Sequence, residues 1–183
     1  MFDQDECWFS RFAQPHLSSW RDADDPLHLV QRQPLKTDRD AQALACFGAV
    51  RQDTQQVYLS FSPQRPNSEM MWHFIMGLLT IARQENKTTV VLIWDNASWH
   101  LSKRIKQWIR DYNQLAKQHG EPRLLTHLLP VKSPWLNPIE PRWVHAKRAV
   151  CEPDGYLQPS ELRERIVNYF DTQPFDTAFQ LSA

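Results

Sequence analysis

The sequence predicts an α/β fold: one mixed sheet of antiparallel and parallel strands with helices on both faces. Three observations carry this. The first sixty or so residues read as strands separated by polar breaks, with no sustained helical period. From Glu69 onward, helical periodicities alternate with short apolar runs. One of those runs, Val90–Trp94, is continuously apolar, as a central strand covered on both faces would be.

The elements follow in chain order. "FDQDECWFSRF" at 2–12 gives a first strand, and Ala43–Val50 and Gln56–Phe61 form a hairpin around the polar break "RQDT". "SPQRPNSE" is a loop that places a helix cap at Asn67 or Ser68, and residues 69–84, apolar on nearly every side, form a well-buried helix. Residues 88–95 are the fourth strand. In "SKRIKQWIRDYNQLAKQ", Ile105, Trp108, Ile109, Tyr112 and Leu115 mark the inner face of an amphipathic helix that "HG" at 119–120 stops. "RLLTHLLP" is a fifth strand, "VKSPWLNP" a loop and "IEPRWVHAKRAV" a helix. After the turn "EPDGY", Ser160 is expected to cap a last helix with Leu162, Ile166, Tyr169 and Phe170 inward, and the tail from Asp171 to lie over the surface. A meander followed by βαβ crossovers is the element order of a ribonuclease-H-like fold. Residues 1–183 are read as one such domain, with the motifs in 1–150 and a C-terminal helix and tail in 151–183.

Composition narrows the class. The chain has 183 residues, 42% hydrophobic and 23% charged, a globular balance. No apolar run reaches the ~20 residues that span a bilayer, and the acidic N-terminus is unlike a signal peptide. Cys7, Cys46 and Cys151 are odd in number and widely spaced, which argues for free thiols in a reducing cytoplasm and against a zinc site. The net charge of zero conceals an asymmetry: residues 101–150 hold ten Lys/Arg against three acids, an excess that attracts a polyanion or merely solvates helix faces.

Three acids are candidates for chemistry. Asp95 ends the best central strand, where sites form in open α/β sheets. Asp5 lies in the first strand and shares a face with Asp3, Cys7 and Phe9, whereas Glu6 points to the opposite face and does not chelate the same ion. Glu140, 45 positions after Asp95, opens a helix. If the first and fourth strands are neighbours, the three converge. Carboxylates that meet without bases repel, and a hard divalent cation relieves them. Each acid also has an ordinary structural reading. Asp95 suits an Asx-turn or a cap, Asp5 a salt bridge, and Glu140 a capping box with Asn137 as N-cap and Pro138 at N1.

"WDNASWH" and "SPWLNPIEPRWVHAKR" resemble the second and third acid blocks of DDE transposases of the IS630/Tc1/mariner superfamily, particularly its bacterial branch, and "FDQDECWFSRF" resembles the first. The resemblance covers roughly residues 1–150. It implies that Asp5, Asp95 and Glu140 hold two Mg²⁺ ions, with Mn²⁺ able to substitute. Asn96 and His100 then shape the site or touch the scissile phosphate, and Asn137 and Pro138 set the loop that presents Glu140. Lys147, two turns along the helix from Glu140, would hold DNA phosphate, with Arg142 and Arg148 as further candidates. The implied chemistry is attack of water on a transposon-end phosphodiester, then attack of the freed 3′-hydroxyl on target DNA. DNA is the implied partner, with a homodimer during transposition.

Two departures from the family pattern stand out. The spacing from Asp95 to Glu140 is long, with the extra residues expected in 110–125, at the end of a helix and the loop after it. The sequence also leaves no room before the first catalytic strand for the family's helix-turn-helix modules. The expectation is therefore weak, nonspecific, salt-sensitive DNA binding through 101–150. A general ribonuclease-H-like nuclease and an inactive remnant serving as a DNA-binding module remain the competing readings.

Overall fold

The computed structural model describes residues 1–12, 36–151 and 156–175. Five strands form one sheet: β1 (Phe2–Ser10), β2 (Ala43–Arg51), β3 (Val57–Ser62), β4 (Thr89–Trp94) and β5 (Arg123–Leu128). Their spatial order is β3-β2-β1-β4-β5. The meander β1–β2–β3 is antiparallel, and β4 and β5 join it in parallel beside β1. This is the mixed α/β sheet that the element order predicts. The two parallel additions are reached through helices: α1 (Ser68–Gln84) leads into β4, and α2 (Lys103–His119) into β5. A single 3-10 turn (Pro134–Leu136) then precedes α3 (Glu140–Val150) and α4 (Pro159–Phe170).

Side-chain alternation divides the core in two. Phe2, Phe47, Ala49, Val90, Leu92 and Trp94 face α1 and α2. Cys7, Phe9, Cys46, Val50 and Leu59 face α3 and α4. Helices thus lie on both faces, though not equally. α3 and α4 pack over β1, β2 and β3, while β4 and β5 pack mainly against α1 and α2. The expectation that β4 is covered on both faces is corrected accordingly: Val90, Leu92 and Trp94 are buried, while Val91 and Ile93 are half-buried.

Local signals explain the helix ends. Asn67 caps α1, its side chain accepting from Glu69 N at 2.9 Å and Met70 N at 3.0 Å. Gly120 ends α2 in the left-handed region at φ 67°, which costs a glycine little. Two expectations about inward positions fail. Leu115 is exposed and Ala116 is buried. Eleven helical steps from Ile105 return to within about 20° of its direction, whereas ten fall about 80° short. Ser160 does not cap α4; Gln158 stands at the N-cap without a side-chain bond and Pro159 starts the helix. Tyr169 is exposed, its ring edge against Phe170.

The tail from Asp171 is described only to Phe175. Thr172 Oγ1 donates to Val57 O at 2.7 Å and Phe175 N to Leu59 O at 2.8 Å, so this stretch runs along β3 and adds backbone bonds to an edge strand. The rest of the tail and most of the expected turn at 152–156 lie outside the described residues. Cys7, Cys46 and Cys151 are free thiols. No helix among the described residues is long and apolar enough to cross a membrane.

Candidate active site

The ladder between β1 and β4 places the acids. Asp3 pairs with Ile93 in parallel register, and continuing that register by two residues sets Asp5 beside Asp95, just past the last ladder pair. Asp5 is buried on the α3 side of the sheet. Its Oδ2 accepts a hydrogen bond from Trp143 Nε1 at 3.1 Å, which ties the strand to α3 three residues from Glu140. Burial, then the charges of Glu140, Glu6 and Asp95, push the Asp5 carboxyl up to about 8. Asp3, on the same face, is closed off because Gln52 Nε2 donates to both its oxygens.

Asp95 differs because its carboxylate has donors. His100 Nδ1 lies 2.9 Å from Oδ1, and Ala97 N donates to the same oxygen at 2.9 Å. The His100 bond, followed by the Ala97 N–H, holds the Asp95 pKa below the ordinary aspartate value despite partial burial. His100 is itself buried. It stacks on Trp94 with centroids 4.5 Å apart and planes 9° apart, and its Nε2 lies 3.0 Å from Glu6 Oε1. Burial opposes a charge on this imidazole, but the bonds to Asp95 and Glu6 outweigh it and lift its pKa to about 9. Glu6 Oε1 also accepts from Gln4 Nε2 and Trp99 Nε1, at 3.0 and 3.2 Å. A line of Glu6, His100 and Asp95 thus runs from one sheet face to the acid on the other. Of the two roles expected for His100, contact with phosphate is closed by its burial.

Glu140 is the first residue of α3, and the loop before it is fixed to the sheet. Asn137 Nδ2 donates to Gln4 O at 3.0 Å and Asn137 O accepts from Glu140 N at 3.1 Å. Asn96 Nδ2 donates to Leu129 O at 2.7 Å, joining the ends of β4 and β5. The capping-box reading of Asn137 is therefore wrong. Ile139 is the N-cap, and the Asn137 side chain makes other bonds: Nδ2 donates to Gln4 O on β1 and Oδ1 accepts from Ile139 N at 3.5 Å, not from Glu140 N. Asp95, Asn96, Lys132, Asn137 and Glu140 line one cavity of about 270 Å³. A larger hollow of about 500 Å³ lies between β3 and α4, around Gln56, Tyr58 and Phe175, without convergent acids.

The expected residues are gathered unequally. Asp95, Asn96, Asn137 and Glu140 share the cavity, Asp5 stands within the neighbouring strand β1, and His100 backs Asp95 from inside. Among the described residues, no three acid, imidazole or thiol groups stand close enough to enclose one ion. The Asp95 carboxylate is turned toward His100 and Ala97 N, and Asp5 toward Trp143. Lys147 is exposed, its ammonium beside the Cys7 thiol, whose pKa burial raises to about 11 against that pull. Arg142 is not gathered. Its guanidinium donates to Gln55 O and Oε1, at 3.2 and 2.7 Å, in the turn between β2 and β3. Arg148 is exposed on α3.

Three contributors escaped the sequence reading. Glu6 was set aside because it points away from Asp5, yet it reaches Asp95 through His100. Trp143, to which the motifs assign no role, binds Asp5. Gly48 pairs directly with Asp5 in the β1–β2 register and lies under Trp143. A lone glycine inside an otherwise apolar strand signals close approach, and could have been read that way.

The donor set suits a divalent cation. It offers hard carboxylate oxygens, one of them held in an environment that a nearby positive charge would relieve.

Known proteins resemble this chain in fold and in family. The Mos1 transposase paired-end complex with left transposon end matches with a TM-score of 0.65 at 16% identity, covering 94% of this chain and 48% of that one. The Mos1 mariner paired-end complex with Mn matches at 0.62 and 15%, covering 93% and 47%. A pre-cleavage Mos1 transpososome matches at 0.61 and 14%, covering 94% and 48%. The chain spans about half the length of these solved proteins. No curated protein matches it by sequence. The family described as DDE superfamily endonuclease matches residues 11–162, a span that begins after Asp5 and contains Asp95 and Glu140. The chain belongs to the DDE superfamily endonucleases.

Proposed function

We propose that this chain is the catalytic domain of a DNA transposase, with Asp5, Asp95 and Glu140 as its metal-binding acids. Family membership supports a DNA-cutting reaction, and the fold of the Mos1 transposase complexes supports transposition over general nuclease action. The single observation that carries the assignment is the placement of three acids from separate elements along one edge of the sheet. Asp5, within β1, and Asp95, just past the end of β4, stand side by side where the two parallel strands part, and Glu140 shares the Asp95 cavity.

Two divalent ions are the proposed occupants, Mg²⁺ or Mn²⁺; Mos1 complexes with each metal share the fold. When bound, such ions supply positive charge beside the attacking and leaving oxygens of a phosphodiester. The chain's own residues do the rest. His100, anchored by Glu6, holds the Asp95 carboxylate ionised and oriented. Trp143 fixes one oxygen of Asp5 and leaves the other available. Asn137 staples the loop that delivers Glu140, and Lys132 and Lys147 offer ammonium groups to DNA phosphates near the acids. In the first reaction water adds to phosphorus and the bond to the 3′-oxygen breaks, releasing a 3′-hydroxyl on the element. In the second that hydroxyl attacks a target phosphodiester, displacing another 3′-oxygen, so that the number of phosphodiester bonds is conserved. Joining two element ends calls for two copies of the chain, as in the paired-end complexes of Mos1.

The test is Mn²⁺ soaked into crystals of the chain, read by anomalous scattering, together with metal-dependent nicking of DNA carrying the element's ends. Density shared by Asp5 and Asp95 and lost in Asp95→Ala, with nicking lost in parallel, is the expected result. Nicking that persists in Asp95→Ala would overturn the assignment.

A further inference from the structure

The loop between β5 and α3 carries a feature that metal binding does not use. Trp135 is 76% exposed, against 41% for Trp8 and 2% for Trp94 and Trp143. Among the described residues its ring packs on no aromatic or cation, and its indole N–H has no hydrogen-bond partner. Its position is nevertheless fixed. Leu136 N donates to Ser133 O at 3.1 Å and Asn137 N to Pro134 O at 2.9 Å, closing the 3-10 turn on both sides of the indole. Asn137 pins the end of the turn to β1 and Asn96 pins the start of the loop at Leu129. Pro130 and Pro134 restrict the backbone between these anchors, and Pro138 follows the second. An indole presented to water from a fixed backbone turn adds little to the fold and leaves a broad flat face open to a ligand.

The surroundings indicate the partner. Ser133, Pro134 and Asn137, around Trp135 in the chain, line the cavity that holds Asp95 and Glu140, so the turn that carries the indole forms part of its rim. Residues 129–139 contain no acid and one cation, Lys132, which lines the same cavity with its backbone at φ 58°. Exposed Val131 and Leu136 flank the indole with apolar surface. A flat aromatic platform beside a lysine suits one nucleotide, with the base on the indole face and the phosphate toward the ammonium.

We propose that Trp135 is a stacking platform for an unpaired nucleobase next to the phosphate that the acids act on. This rests on the transposase reading above and adds a substrate feature to it: the DNA is engaged with at least one base out of its helix at the cavity rim. A base within a duplex already has both faces stacked, so the platform selects unpaired bases.

The experiment uses the full chain and two probes of equal length, a single-stranded oligonucleotide containing 2-aminopurine and its fully paired duplex, without divalent metal so that no cleavage intervenes. The expected result is fluorescence quenching of the single strand by wild type, lost in Trp135→Ala with roughly tenfold weaker binding. Quenching is partly retained in Trp135→Phe, and duplex binding changes little in either variant. Because Trp135 is exposed, both variants fold, as circular dichroism will verify. Unchanged quenching and affinity in Trp135→Ala would overturn the proposal. So would a change confined to self-association in sedimentation, which would make the rim a protein contact. Nicking by Asp95→Asn, assayed separately, distinguishes the two readings. If nicking is lost while quenching ignores Trp135, the platform fails and the transposase reading stands. If nicking persists, that reading fails whatever Trp135 does.

Discussion

Gly48 offers the sharpest test of how the site is built. It lies in the middle of β2, where a glycine costs about 0.5–1 kcal/mol relative to alanine, directly opposite Asp5. A Cβ added there would lie 2.4 Å from Trp143 Cη2, 2.5 Å from Cζ2 and 2.9 Å from Ile139 Cδ1. Carbon atoms settle at roughly 3.5–4.0 Å, so in Gly48→Ala the indole must withdraw by about 1 Å. It has nowhere to go: Trp143 is buried with its ring against the edges of Phe9 and Phe170, and its N–H is held by Asp5. Overpacking of this kind costs about 1–3 kcal/mol, and at this chain length each kcal/mol lowers the melting temperature by roughly 2–4 °C. The same displacement levers α3, so the Glu140 carboxylate moves and Mn²⁺ affinity falls. A second substitution isolates the cause. Trp143→Phe removes both clashing indole carbons and, alone, costs about 2–3 kcal/mol through lost packing and a lost bond to a buried carboxyl. If the clash is the mechanism, urea unfolding of the double variant will show it about 1–2 kcal/mol more stable than the sum of the single effects. Additivity to within about 0.5 kcal/mol, or a neutral Gly48→Ala, would refute the reasoning.

Other perturbations probe other parts of the site. Glu6→Gln replaces a charge that accepts from three donors with an amide that must turn its NH₂ away from them. We expect a loss of about 1–3 kcal/mol by urea unfolding, together with weaker Mn²⁺ binding because His100 no longer fixes Asp95; unchanged metal affinity would separate Glu6 from the site. Lys103, Lys106 and Lys117 lie on the exposed basic face of α2 and make no ion pair among the described residues. Changing all three to Gln should flatten the salt dependence of DNA binding by about 2.7 in the log–log slope if each contacts a phosphate, and an unchanged slope would exclude that face. Metal-free protein should lose stability as the pH rises from 6.5 to 9. The His100 pKa is raised to about 9, so its contribution is complete below 6.5 and lost as pH passes 9. The Asp5 pKa is raised to about 8 from an unfolded value of about 4, so its cost grows from about pH 4 and is complete as pH passes 8, adding to the loss over the lower part of that range. Thermal melts showing stability that rises across that range would contradict both environments.

Much of this architecture was legible in the sequence because its signals are periodic. The apolar run at 90–94 and the helical stripes of α1 and α2 specify elements whose order leaves few ways to form a sheet. Asp95 was legible because a carboxylate ending a buried strand is costly unless it has a purpose. What stayed hidden depends on non-local packing. The partial exposure of β4 follows from where α3 and α4 come to rest, which no local pattern records. Asn137 shows the same limit from the other side. Its spacing to Glu140 fits a capping box, but docking its Nδ2 on the buried Gln4 carbonyl orients the amide so that Oδ1 meets Ile139 N, two residues on, and the helix starts later.

Strand alternation separates Glu6 from Asp5 on opposite faces of the sheet, but it does not separate Glu6 from Asp95. Alternation governs side chains only while the chain stays in the sheet. Past Trp94 the backbone leaves the ladder and turns through Ala97, and His100 returns from that turn to lie on the Trp94 ring, on the Glu6 side. From there its two nitrogens span the strand end, one on each acid. An imidazole is the side chain that can do this, having two opposed polar atoms on a rigid ring small enough to be buried. The adjacent acids of β1 therefore serve one centre from opposite faces of the sheet: Asp5 lies beside it, and Glu6 acts by holding the residue that holds Asp95.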